Sequence, residues 1–365
     1  MNNDEIEMMA GIRPDAPPYG QEAKNAARRR LAAATTATAG RGPLWRRPYA
    51  VALAGALAVA ATVAVTVTVR APEPQIGGAE VVVAMPKIAP MSATEVLGRA
   101  ARAAARSDLE PRDDQFVKVE SQTMYGAFGG MGTDADGNTQ TEWRYLYRTK
   151  RAIWQSANGE KDGALRIEHL EPRAYPGWPV PPEAHRDSGT EWSRLPICGK
   201  APDHLRTDYA SLKKLPADAE GMRAHLYTGE RGGNSKDGAA WTAAGDMLRE
   251  NYLPPAQRAA LFQAVGTIPG VDVVRDAEDA AGRRGIGVGR VSAGVREDLI
   301  FDPDTYELLG ERGVVVDEKT AKSPVGSLVA STAQLSVTVA DSPPDAPELA
   351  ADTASTCPEP VGKTG

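Results

Sequence analysis

AVALAGALAVAATVAVTVTV, residues Ala50 to Val69, is the stretch on which the organisation of the whole chain turns. It contains no charged side chain. As a helix rising about 1.5 Å per residue it reaches roughly 30 Å, the thickness of a bilayer's hydrocarbon core. Its Val and Leu side chains contribute about −2 to −5 kcal/mol towards insertion. The Thr hydroxyls can bond their own helix backbone, which lowers their cost. Two other readings compete. A cleaved signal peptide carries its apolar run close to the start, whereas 49 residues precede this one. A buried core helix would seldom be uncharged over this length between Arg46, Arg47 and Arg70. A membrane-spanning helix fits best.

Outward from that run the charge is uneven. Residues 1–49 carry eight basic and five acidic side chains, a net of +3. The whole chain is −6, so residues 70–365 sum to −9. Lys and Arg crowd the N-terminal flank, from Lys24 to Arg47, while residues 70–90 hold only Arg70 and Lys87. The positive side stays inside. This places the basic tail in the cytoplasm and the rest of the chain outside the cell membrane, with the lipid bilayer met through residues 50–69. An acidic outer domain excludes nucleic acid as its partner, because phosphate binding needs clustered Lys and Arg.

Residues 70–91 read as a linker punctuated by Pro and Gly. A helix opens behind Ser92, with Val96, Leu97, Ala100, Ala101 and Ala104 on one stripe. Val117, Val119, Thr123 and Tyr125 alternate with polar residues, the period of a half-buried strand. Trp143, Tyr145 and Tyr147 repeat that pattern. Residues 152–155 and 164–170 read as short strands about the turn at Asn158-Gly159, and 171–196 as an irregular loop. Helices are expected at 205–215, capped by Asp203, at 241–252, and at 256–265 behind Pro254-Pro255. Strands follow at 271–275, 285–291, 295–301, 307–316 and 327–339, and residues 341–365 read as a disordered tail. The expected fold class is α+β: one transmembrane helix, then an extracytoplasmic domain over 92–340 with a curved, mostly antiparallel sheet and packed helices.

No catalytic or cofactor motif stands up to its chemistry, and no metal or cofactor is expected. Asp134, Asp136 and Asn138 resemble the start of a calcium loop, but the twelfth position is Tyr145 rather than Glu. Gly285, Gly287 and Gly289 resemble a phosphate cradle, yet they sit between strands rather than before a helix. Asp302-Pro303-Asp304-Thr305 has the look of a phosphoryl-transfer pair and reads better as a turn. The four histidines, His169, His185, His204 and His225, show no metal-pair spacing. The two cysteines, Cys198 and Cys357, both lie on the outer side, where a long-range disulfide is chemically permitted. The one candidate binding feature is aromatic. Trp143, Tyr145, Tyr147 and Trp154 can line a ligand groove on a sheet or be plain core.

Several stretches together resemble a family of uncharacterised actinobacterial single-pass membrane proteins. They are Glu110 to Phe116, Leu215-Pro216-Ala217-Asp218, Leu253-Pro254-Pro255 through Leu261, Ile268-Pro269-Gly270-Val271, Asp279 to Gly285 and Leu299 to Thr305. The Ala, Arg, Gly and Pro bias suits such an origin. The resemblance implies a neighbourhood of extracytoplasmic-function sigma factors, and so an envelope sensor or accessory regulator. It brings no binding residues with it. The functional expectation is a membrane-anchored envelope protein whose outer domain binds a partner or an apolar ligand. The alternative is a membrane-tethered hydrolase acting on envelope polymer, which needs two carboxylates facing each other across a cleft.

Overall fold

The computed structural model describes residues 83–107, 109–129, 143–197, 206–228 and 235–351. The chain divides into units 1–47 and 48–365, and every described residue belongs to the second. Ten strands form one sheet: β1 (Lys87–Ile88), β2 (Phe116–Gly129), β3 (Trp143–Ser156), β4 (Gly163–Ala174), β5 (Gly189–Leu195), β6 (Asp272–Glu278), β7 (Arg284–Ser292), β8 (Val295–Phe301), β9 (Leu308–Val315) and β10 (Leu328–Ala340). Their order is β1-β6-β7-β8-β9-β10-β2-β3-β4-β5. Every pairing is antiparallel. The sheet is thus two meanders, β2–β5 and β6–β10, zipped together where β10 lies along β2 from Ala330–Tyr125 to Ala340–Phe116.

Helices α1 (Ala93–Ala104), α2 (Tyr209–Leu212), α3 (Ala219–Leu226), α4 (Lys236–Leu248) and α5 (Pro255–Val265) precede or interrupt the strands, and α6 (Glu318–Ala321) and α7 (Pro347–Ala351) are single turns. Ser92 caps α1 by accepting from the Glu95 amide at 3.1 Å, which satisfies one of the helix's orphan donors. The stripe of Val96, Leu97, Ala100, Ala101 and Ala104 is buried. It meets Leu261, Phe262 and Val265 of α5 over Val273, Val288, Leu299 and Phe301 of the sheet. Phe262 stands edge-on to Phe301 at 5.3 Å. Each fully buried Leu, Val or Phe contributes about 1.5–3 kcal/mol, so this apolar layer fixes the helices to one face of β6–β8.

The sheet rolls towards its other face. The β6–β7 turn reaches back across two intervening strands to β10 and β2: the Ala280 amide donates to the Thr332 carbonyl at 3.3 Å, and Gln122 donates to the Ala280 carbonyl at 2.6 Å. Asp279 builds that turn by accepting from the Ala281 and Arg283 amides, both at 2.9 Å. Arg283 then donates to the backbone carbonyls of Leu309 and Gln334, each at 2.8 Å. Between the rolled strands the buried Asp298 carboxylate lies against Arg296 at 2.8 Å and Arg312 at 3.0 Å. Gly289 makes room for it, since a Cβ there would collide with Asp298 and the Glu297 carbonyl. Gly285, Gly287 and Gly289 therefore serve packing within β7.

The expected α+β class is overturned. The described residues form mostly one large antiparallel sheet with few helices, the longest of them 13 residues. The physical reason lies in three segments. Residues 143–156 make one continuous strand instead of two short ones. The stretch read as an irregular loop contains the end of β4 and all of β5. The helical middle breaks into short pieces, with Asp208 rather than Asp203 capping α2 and Asp218 capping an unforeseen α3. Residues 341–351, read as tail, carry α7, and Leu349 packs beside Trp192 against Trp154. The expected transmembrane helix at 50–69, the tail 1–49, most of the linker, Cys198 and Cys357 lie outside the described residues. Among those described, no helix is long and apolar enough to cross a membrane.

Candidate functional site

Side chains alternate along β3, so Trp143, Tyr145 and Tyr147 share the face that carries the helices farther along. Register confirms this: Tyr147 lies opposite Tyr125 and Ala330, one row from Thr149, Thr123, Thr332, Glu311 and Leu299. The Tyr125 and Tyr147 rings are 5.9 Å apart and tilted by 42°, and those of Trp143 and Tyr145 are 5.5 Å apart. Trp143 is 40% exposed and Tyr147 37%. Their row neighbours are small, Gly129 beside Trp143, Ala127 beside Tyr145, and Ala330 then Gly313 beyond Tyr125. The result is an aromatic strip whose Trp143 ring lies over Gly129. Burial holds the phenols of Tyr125, Tyr145 and Tyr147 above their ordinary pKa, so the strip is uncharged and can donate hydrogen bonds.

Trp154 does not join it. It sits an odd number of places from the other three along an unbroken β2–β3 register, which points it to the opposite face. There it is buried, stacked on Trp192 at 5.9 Å with Lys118 above its ring at 5.3 Å. Of the four aromatic candidates, the structure brings three together and makes the fourth core.

Where the strip meets the helices, the end of α4 is latched to the sheet by ion pairs. Arg249 reaches Glu311 at 2.7 Å and Asp246 at 3.0 Å. Glu250 accepts from Arg151 at 2.5 Å and from Ser121 at 2.9 Å. Glu250 does so from a left-handed backbone, φ 56°, a conformation costly for a non-glycine residue. Glu311, followed by Tyr125 and Asp246, holds the Arg249 guanidinium above its ordinary range despite burial. Glu297, diagonal to Glu311, has its carboxyl pushed up, first by burial and then by Glu311 itself. A cavity of about 20 Å³ between Ser121, Arg249, Glu250, Glu311 and Thr332 has room for a single water. That is too little for a sugar ring.

Sequence reasoning missed Tyr125 as a member of the strip and the whole latch. Tyr125 carried a signal, since it closes the alternation of β2. The latch carried none, because Arg151 and Glu250 are 99 residues apart and Arg249 and Glu311 are 62. His169 approaches Glu191 at 3.5 Å and His185 approaches Glu171 at 3.2 Å. Among the described residues no group of three or more His, Cys, Asp or Glu is placed to hold a metal ion. The Asp302 side chain accepts from the Asp304 and Thr305 amides at 2.9 and 2.8 Å, the work of a turn. No protein-family model matches this chain, and no curated protein matches it.

Proposed function

We propose that this chain is a membrane-anchored envelope protein, its N-terminus cytoplasmic, whose outer domain receives an apolar ligand or partner segment along the strip of Trp143, Tyr145, Tyr147 and Tyr125. In this reading it acts as a sensor or accessory regulator, and the bilayer is met through residues 50–69. The observation that carries it is the uncovered strip itself. Two large rings, Trp143 and Tyr147, stand more than a third exposed on one face of β3. Aromatic rings gain free energy when covered and lose little entropy in doing so. The continuous uncharged run at Ala50–Val69 supports the anchor.

A protease site placed at Gly77-Gly78 tests both halves of the proposal. Before cleavage the chain should sediment with membranes; after cleavage the outer part should stay in the supernatant. Titrating that released part with a fluorescent polyene fatty acid should show saturable binding. The Trp143→Ala/Tyr147→Ala variant should bind at least about tenfold more weakly, the loss expected for about 1.4 kcal/mol of ring contact. Equal affinity with an intact fold would remove the strip from the proposal. Sedimentation that cleavage does not change would remove the anchor.

A further inference from the structure

We propose that the cleft between β4–β5 and the segment after β10 recognises a proline-rich segment of a partner protein, and that the chain's own residues 342–347 fill it when no partner is bound. The site lies on the face of β3 opposite the aromatic strip and does not rest on the reading of that strip. Trp154, Ala164 and Arg194 stand in one row across β3, β4 and β5, and Ala152, Arg166 and Trp192 form the next row of the same face. The two tryptophans stack there. No strand follows β5 on that side of the sheet, and Arg194 at its end of the row is exposed. Asp162 fixes this wall by accepting from Arg194 and, at 2.9 Å, from the Ile197 amide.

Ser342-Pro343-Pro344-Asp345-Ala346-Pro347 runs along this face. A proline fixes its own φ and holds the residue before it extended, so Ser342, Pro343 and Ala346 are set in advance. Pro344 and Pro347 have the spacing with which proline-rich segments dock in aromatic grooves. Pro343, Pro344 and Ala346 are half-buried while Asp345 and Pro347 are exposed, so the segment lays one edge on the sheet. Leu349 of α7 continues the contact to Trp154 and Trp192. The fit is incomplete. A cleft of about 280 Å³ remains between Gly163, Ala164 and Arg194 on the sheet side and Pro343, Pro344 and Ala346 on the other. The root of the segment is held by exposed polar contacts, Asp341 accepting from Gln115 at 2.8 Å and from Arg112 at 3.4 Å. Exposed pairs of this kind contribute little. A partner segment with a larger apolar side chain where this chain has Ala346 would bury more surface at no greater ordering cost, and so displace it.

The test uses the full chain in detergent and two fluorescent peptides, one with the sequence of residues 341–351 and one carrying Ala346→Leu. Anisotropy titrations compare the intact chain with a Pro343→Gly/Pro344→Gly/Leu349→Ser variant, in which the chain's own segment is loosened. The Ala346→Leu peptide should bind the loosened chain at least about tenfold more tightly than the intact one, and more tightly than the unsubstituted peptide does. Adding Trp192→Ala to the loosened chain should abolish that binding. A loosened chain that keeps its melting transition and binds no better than the intact one would overturn the proposal. Should that variant fail to fold, the peptide is given a benzophenone and added in excess to the intact chain. Adducts on 162–166 or 192–195 are then expected, and adducts elsewhere or none would overturn the site. Cross-links joining the segment of one copy to β5 of another would replace the partner protein by a second copy of this chain.

Discussion

Replacing Arg249 with Met keeps most of the apolar stem and deletes the charge that holds α4 to the sheet. The structure sets the size of the effect. Arg249 and Glu311 are 23% and 16% exposed and 2.7 Å apart, closer to a buried pair than to a surface one. Breaking a buried pair costs about 3–5 kcal/mol because the surviving charge stays desolvated, whereas an exposed pair is worth about 0.2–1. The residual exposure brings the expectation to about 2–4 kcal/mol. For a domain of this size each kcal/mol moves the melting temperature by about 2–4 °C, so Arg249→Met should lower it by about 5–15 °C.

Most of that cost should belong to the orphaned Glu311 rather than to lost contacts. Glu311→Gln added to Arg249→Met should therefore recover about 1–3 kcal/mol, the coupling expected of directly paired residues. Urea unfolding of the full chain and its three variants at pH 7 supplies the cycle, with an unchanged m-value as the check that one transition is compared throughout. A single-variant loss under about 1 kcal/mol would refute the latch. A double variant no better than Arg249→Met would show that Glu311 is not what the guanidinium serves.

Two further outcomes follow from the same strands. Glu297 binds its proton more tightly folded than unfolded, since burial and Glu311 raise its pKa above the ordinary 4.5. Its contribution to stability is therefore fully present below that value and lost as pH rises through the folded pKa. Glu297→Gln should raise the melting temperature at pH 7 and leave it nearly unchanged at pH 4, which a pair of thermal scans decides. Gly289→Ala puts a methyl into the space of Asp298 and the Glu297 carbonyl. It should cost about 1–3 kcal/mol in urea unfolding, as overpacked cores do; a neutral result would mean that β7 can separate from β8 there.

Local chemistry was legible. The serine cap and five-residue stripe of α1, the proline start of α5, the alternation in β2 and the Asp-Pro turn between β8 and β9 all stand where their residues ask for them. What failed were segments whose reasons are not local. Lys150 and Arg151 put two charges in the middle of β3, yet Arg151 is held by Glu250 just past α4 and Lys150 is exposed. Gly189–Leu195 is polar and sits among prolines, and it is a strand at the sheet's edge with one neighbour only. An edge needs no apolar alternation. Helix α3 buries only Met222 and Leu226, too few to display a period.

The aromatic candidates show the same boundary inside one element. Trp143, Tyr145, Tyr147 and Trp154 look equivalent as a list, and only counting places along an unbroken strand separates three from the fourth. That step needs the strand to be continuous, which Lys150-Arg151 hid. Arg151 in the middle of that strand is held by Glu250, whose left-handed backbone stands where Ser121 and Arg151 donate to its carboxylate from two different strands. The site is therefore a property of how the helix-bearing face of the sheet packs against α4. Side chains from residues 121 to 311 converge at one latch, and the exposed rings begin where that latch ends.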